Sequence, residues 1–435
     1  MHPQPILAVL VVAGLGLAPA SAETLTVCAT GCDYTSINAA VDAASDGYVI
    51  LLSAETYTEG SAISTDGKAI ILRGAVDQTG APTSIIDGAG SHRVLNCQEA
   101  ETASTVLENL VVRNGSANSG GGMYVSGSPT IRNCVFTDNS AVLGGGVHCY
   151  LGRPSLSECR FTSNITTQNG GGMWNENGTA NLTNCSFEGN VAGGDGGAMW
   201  NESGTTNLTS CSFEENVAGG DGGAMCYPGS SAPFVQGCVF TSNAATGRGG
   251  AINISNNGFG VVTECTFEEN SALLGGALAQ DRGTVAVSGS MATGNVAGAF
   301  GGFAFVDGGE LNVVQSTISE NVATGFAGGV YATTDRVAIA ATNVCGNSLP
   351  QLFGWSNIGD VTLCRTCDDC QEGAATSVPC ETGIRGDFNC DGVFDDDDYL
   401  AIRQDLGICA GDLNLDGVVD GADLGLLFTG WGRCP

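Results

Sequence analysis

Two twelve-residue windows near the C-terminus carry the sharpest chemistry in this sequence. In DFNCDGVFDDDD, Asp387, Asn389, Asp391, Asp395 and Asp398 occupy positions 1, 3, 5, 9 and 12, with Gly392 at position 6 and the Val393 carbonyl at position 7. DLNLDGVVDGAD repeats the pattern 25 residues later with Asp412, Asn414, Asp416, Gly417, Val418, Asp420 and Asp423. Calcium takes about seven oxygens in a flexible cage, and this spacing supplies them from one loop, the glycine making the sharp turn. Acidity alone does not place Asn and Gly at these offsets. The two windows therefore predict two bound calcium ions as the cofactors of this chain.

A second set of residues is aromatic. Tyr124, His148, Trp174 and Trp200 each follow an apolar residue, respectively Met123, Val147, Met173 and Met199. If that apolar file is buried in strands, side-chain alternation turns the aromatic file outward. A flat outward aromatic stripe can stack on sugar rings, so these four are the candidate carbohydrate-binding residues. The supply of catalytic groups is thinner. Chain cleavage by a lyase or hydrolase needs a base beside a cluster of acids, or paired carboxylates. Stacked acids do occur, as Asp195 with Asp221, Glu188 with Glu214 and Glu176 with Glu202. However, residues 173–198 and 199–224 agree at 22 of 26 positions, so duplication of one repeat accounts for them.

The elements that position these residues are set by an internal repeat. Asn recurs at 114, 139, 164, 190, 216, 243, 270, 295, 321 and 347. Five residues before it stands a small, mostly sulfur-bearing side chain: Cys134, Cys159, Cys185, Cys211, Cys238 and Cys265, then Ser290, Ser316 and Thr342. Three before it stands an apolar or small one, Phe in most copies, the first copy giving Val111 for Asn114. The C-x-F spacing has period two and puts both side chains on one strand face, the inside. Gly pairs precede the file Met123, Val147, Met173, Met199, Met225, Ile252 and Leu278, permitting tight bends. One repeat cannot bury its own core, but stacked copies bury a continuous one. Two or three short strands per turn, each pairing one turn on, give a parallel β-helix. The Asn file fits left-handed bends and an amide ladder. The Cys file is expected to be a ladder of buried thiols rather than bridges.

FTDN, FTSN, FEGN and FEEN, with GGAI and GGAL, resemble the repeats of chlamydial polymorphic outer membrane proteins over about 106–347. Those proteins end in an autotransporter barrel, which this sequence lacks, so membrane insertion is not implied. YTSINAAVDAASDGYVILLSAETYTE, GKAIILRG and IIDGAG resemble the opening of right-handed β-helix proteins related to pectate lyases, which implies a capping helix over Ser36 to Ala44. The two calcium loops, Asp-terminated and followed by apolar runs, resemble a type I dockerin, an α-helical EF-hand module. That resemblance implies a cohesin-like scaffold as partner, but the selecting positions hold Asp396-Asp397 and Gly421-Ala422 instead of a small hydroxyl pair.

The resulting organisation is a signal peptide over 1–22, an N-terminal cap and first turns over 23–105, β-helix repeats over 106–363, a Cys-rich linker over 364–385 and a calcium module over 386–435. Export is read from the apolar run Ile6 to Ala18 and the cleavage pattern Ala20-Ser21-Ala22. Nineteen cysteines suit an oxidising compartment, and Cys28 and Cys32 are placed for a local disulfide. With 45 acidic against 14 basic residues and a net charge of −31, nucleic acid is disfavoured as a partner. No run outside the signal is long enough to span a membrane. These features predict an all-β, secreted or cell-surface protein that binds polysaccharide or another surface component without catalysis. The alternatives are a dockerin-bearing polysaccharide lyase or glycoside hydrolase, and a structural or adhesive spacer.

Overall fold

A computed structural model describes residues 23–364 of the chain, apart from residues 99, 230, 232, 257, 335, 355, 356 and 360. It is a right-handed parallel β-helix of about 12 turns with almost no helix. The coil has four strands in each of its central turns, where the sequence suggests two or three. One turn runs Met173–Glu176, Thr179–Thr183, Ser186–Glu188 and Val191–Ala192. Each strand pairs in parallel with its counterpart one turn on, which builds sheets of 12, 14, 13 and 9 strands. They are called here sheets 1 to 4, in the order the chain visits them. The fourth sheet leaves little trace in the sequence because the side chain its short strands turn inward is mostly Ala, such as Ala141, Ala192 and Ala218.

Helix α1 (Ile37–Ala43) closes the N-terminal end where the capping helix is expected. The Ser36 hydroxyl accepts the Ala39 N–H as its N-cap, and Ile37, Ala40 and Val41 are buried on the first turn. Cys28 and Cys32 form the expected disulfide.

The core is a set of one-residue files. Phe136, Phe161, Phe187, Phe213, Phe240 and Phe267 stack with ring centroids 4.4–5.0 Å apart and near-parallel planes. Burying each ring contributes roughly 1.5–3 kcal/mol. Where Ala292 takes this file, Phe303 tilts in from the glycine loop to fill the space, 6.1 Å from Phe267. The nine cysteines described within the coil up to Cys265 are buried thiols. Beyond Cys265 the same file continues as hydroxyls: Ser290 Oγ accepts the Cys265 N–H and Ser316 Oγ accepts the Ser290 N–H.

The amide ladder runs from Asn139 to Asn347. Each Asn accepts, on Oδ1, both the backbone N–H and the Nδ2–H of the preceding rung, as Asn216 does from Asn190 at 3.1 and 2.9 Å. Two expectations are corrected here. The rung below Asn139 is Gly115, whose N–H Asn139 Oδ1 accepts at 2.8 Å, because Phe136 pairs with Val112 and not Val111. Asn114 instead points its amide at Asp87. The left-handed residue is also not the ladder Asn but the one before it, as with Asp138, Ser163 and Glu215 at φ of 52–54°. The bend lies there, and the Asn that follows is free to point inward.

Candidate functional site

Tyr124, His148, Trp174 and Trp200 pair with one another in register on sheet 1. The residues before them, Met123, Val147, Met173 and Met199, are fully buried, so the aromatic file faces away from the coil interior as alternation requires. Ring centroids are 5.1, 5.7 and 5.9 Å apart along the file. The same file continues as Cys226, Asn253, Ala279, Phe305, Tyr331 and Phe353.

Facing outward did not leave the whole stripe open. Tyr124 and Trp200 are half-buried, but Trp174 is only 7% exposed and His148 only 5%. The cover is a second file, four residues before each inward Met or its equivalent, on the approach from sheet 4. It reads Ser119, Leu143, Asn169, Asp195, Asp221, Arg248, Leu274, Phe300 and Phe326. Its side chains lean one turn or more toward the C-terminus over the aromatic file. Ser119 reaches His148, Asp221 reaches Asn253 at 3.3 Å, and Phe300 stacks on Tyr331 at 4.8 Å. At the start of the file Arg93 does the same, its guanidinium 5.0 Å above the Tyr124 ring. Glycines with positive φ make room between the files. A Cβ at Gly144 (φ +61°) would fall 3.0 Å from the Trp174 Cβ.

The N-terminal part of this corridor is rich in polar contacts. His148 Nδ1 shares a short hydrogen bond with Ser119 Oγ, and its Nε2 lies 3.2 Å from Glu176 Oε2. Arg93 donates from Nε and Nη2 to the Ser119 and Gly120 carbonyls at 2.7–3.3 Å. Burial, reinforced by Arg93, pushes the His148 pKa down to about 4. Burial and then Glu202 raise that of Glu176. The indole Nε1 atoms of Trp174 and Trp200 are buried with no partner among the described residues. An unpaired buried donor costs about 1–3 kcal/mol.

The acids elsewhere have structural duties. Asp195 Oδ1 accepts the Asp221 N–H at 2.7 Å, and Asp221 Oδ1 accepts the Arg248 N–H at 2.8 Å. Glu108 lies between Arg73 and Arg132 in short ion pairs. Hydrogen bonds and charge from those arginines outweigh burial and hold its carboxyl below the usual range, so it is a weak base. Glu188 pairs with Glu214, and Glu176 with Glu202, across sheets 3 and 1, as the repeat predicts.

All twelve predicted calcium ligands, Asp387 to Asp398 and Asp412 to Asp423, lie outside the described residues, as do the signal segment and the Cys-rich linker beyond Cys364. Among the described residues no group of three or more His, Cys, Asp or Glu side chains could hold a metal ion. No helix among them is long and apolar enough to cross a membrane. Ser119 belongs to the loop file and Arg93 to the segment just before Leu95, and strand alternation says nothing of side chains that lean across turns from outside the strands.

Comparison with known proteins agrees on the coil. Residues 156–344 match the family model described as right handed beta helix region. No curated protein matches the chain. Among solved structures, the chain is similar to a pectin methylesterase in complex with a hexasaccharide, at 15% identity and a TM-score of 0.33 over 55% of this chain and 81% of that one. It is similar to a mannuronic acid specific polysaccharide family 6 lyase from human gut microbiota, at 11% identity and a TM-score of 0.40 over 79% and 82%. It is also similar to the Siphovirus 9NA tailspike receptor binding domain, at 11% identity and a TM-score of 0.29 over 81% and 77%.

Proposed function

We propose that this chain is an exported or surface-displayed β-helix protein that holds a polysaccharide along the outer face of sheet 1 and leaves the glycan backbone intact. The observation that carries the reading is the register of Tyr124, His148, Trp174 and Trp200 on the outer face of sheet 1, with Tyr124 and Trp200 half-buried and open to a ligand. A sugar ring can pack against the accessible parts of Tyr124 and Trp200. Asp195 and Asp221 each hold a backbone N–H, and of the stacked pair Glu176 and Glu202 the first lies against His148, an arrangement that favours binding over chain cleavage. The net charge of −31 favours neutral glycans, or acidic ones bridged by cations. In this reading Asp387, Asn389, Asp391, Val393, Asp395 and Asp398, and Asp412, Asn414, Asp416, Val418, Asp420 and Asp423, hold two calcium ions in a dockerin-like module that attaches the coil to a cohesin-like scaffold or a cell surface.

The test is incubation of the purified chain with a panel of neutral and acidic polysaccharides, followed by retention and product analysis. Retention without new reducing ends or unsaturated products is expected. Chain fragments would replace this reading with that of a lyase or hydrolase. Absence of retention across the panel would favour a structural spacer, the role that the covered His148 and Trp174 suit best.

A further inference from the structure

Ser119, His148 and Glu176 come from three consecutive turns of the coil, and the fold brings them into one hydrogen-bonded line. Ser119 lies on the loop file, His148 on sheet 1 one turn later, and Glu176 on sheet 1 one turn after that. His148 is buried, while Ser119 and Glu176 are half-buried at the edge of the corridor. We propose that Ser119, His148 and Glu176 form a nucleophile, base and orienting acid that hydrolyse carboxylic esters carried as O-acyl groups on the polysaccharide bound along sheet 1. The choice of substrate rests on the polysaccharide reading above; the relay itself does not.

The hydrogen-bond chemistry fixes the tautomer. An ionised carboxylate only accepts, so the proton between Glu176 and His148 sits on Nε2. Nδ1 then presents its lone pair to the Ser119 hydroxyl, which is the state a general base needs. The two ring nitrogens are used in the reverse of the order found in Ser-His-Asp proteases, but the roles are the same. Burial favours the neutral imidazole at neutral pH. Arg93 is clamped by its Nε and Nη2 to the carbonyls of Ser119 and Gly120. Its Nη1 makes none of those bonds and is the donor available to a carbonyl oxygen as negative charge develops on it.

The reaction needs only water as co-reactant. Ser119 Oγ attacks the acyl carbon as its proton passes to His148 Nδ1. The bond from acyl carbon to sugar oxygen breaks, and that oxygen takes the proton from Nδ1, leaving acyl-Ser119 and the free sugar hydroxyl. Water then attacks the acyl carbon, giving one proton to Nδ1. The Ser119 ester bond breaks, Oγ recovers the proton and a carboxylic acid leaves. Glu176 is a positioning residue that holds the Nε2 proton throughout. The glycan backbone is untouched.

The experiment treats the whole chain with a serine-directed fluorophosphonate, maps the adduct by peptide mass spectrometry, and follows p-nitrophenyl acetate hydrolysis against pH. Neither probe contains a sugar. Ser119 is expected to be the labelled residue, with turnover falling about 100-fold in Ser119→Ala and in the nearly isosteric His148→Asn. Glu176→Gln is expected to lower the rate about tenfold and to move the pH midpoint of the reaction, which a purely structural role would not do. The proposal is overturned if wild-type Ser119 reacts no faster than Ser116, three residues away on the same strand, or if His148→Asn leaves labelling unchanged in a folded chain. Reactive Ser119 in a chain that retains no polysaccharide would confirm the relay and overturn its substrate.

Discussion

Replacing Asn216 by Leu tests what holds the coil together. Asn216 Oδ1 accepts the Asn190 N–H at 3.1 Å and the Asn190 Nδ2–H at 2.9 Å, while Asn216 Nδ2 donates to the Phe187 carbonyl at 3.0 Å and to Asn243 Oδ1 at 2.9 Å. Leu has similar volume and none of these groups. Asn190 Nδ2 keeps its bond to the Phe161 carbonyl, but the Asn190 N–H loses its acceptor at a fully buried site. One orphaned donor costs about 1–3 kcal/mol and each of the three other lost hydrogen bonds about 1 kcal/mol more, so a total of ~4–6 kcal/mol is expected. Asn216→Asp keeps the acceptor but sets a buried carboxylate oxygen against the Phe187 carbonyl and Asn243 Oδ1. It should be at least as damaging at neutral pH. Its folded-state pKa is then raised above the unfolded value, so stability is regained as pH falls and the carboxyl takes up a proton. Urea unfolding followed by circular dichroism reads both effects. A loss below ~0.5 kcal/mol for Asn216→Leu, or parallel pH profiles for Asn216→Asp and wild type, would refute the ladder as a stabilising element.

Three further outcomes are expected. Gly144→Ala places a Cβ 2.6 Å from the Val147 carbonyl and 3.0 Å from the Trp174 Cβ at φ +61°; a cost of about 1–2 kcal/mol and a changed tryptophan emission should appear in thermal unfolding. His148, buried with its pKa lowered from 6.5 to about 4, should contribute roughly 3 kcal/mol that is fully present above pH ~6.5 and lost as pH falls through about 4; a His148→Gln chain should lack this slope, and equal slopes would contradict the burial argument. For the calcium loops, titration of the metal-free chain with calcium should show two sites, and Asp387→Ala or Asp412→Ala should each remove one; no heat of binding would sink that assignment.

The coil was readable from the sequence because every turn repeats the same inward pattern, so an error in one copy does not spread. From Phe136 and Asn139 onward the Phe and Asn files, with the Met file, point inward at the expected residues, and Ser36 caps the expected helix. The misplaced first rung shows the limit. Asn114 sits one residue from the Gly115 position, and spacing alone could not tell that Val112 rather than Val111 faces inward. The outward direction of Tyr124, His148, Trp174 and Trp200 followed from alternation, but their cover did not. Exposure depends on the loop file leaning across turns, a relation between residues about 29 apart, such as Ser119 and His148. Glu176 was visible only as half of a stacked acid pair, whereas its hydrogen bond to His148 gives it a separate part in the corridor.

The most direct measurement of the central claim is the affinity of the intact chain for a retained polysaccharide, compared with that of Trp200→Ala and Tyr124→Ala. Val239→Ala, on sheet 3 and 42% exposed, is the control. Loss of one stacking ring on sheet 1 is worth about 0.5–1.5 kcal/mol beyond its buried area. Each sheet 1 variant should therefore weaken binding about tenfold, with Val239→Ala unchanged. Equal affinity for all four chains would contradict binding along the aromatic file.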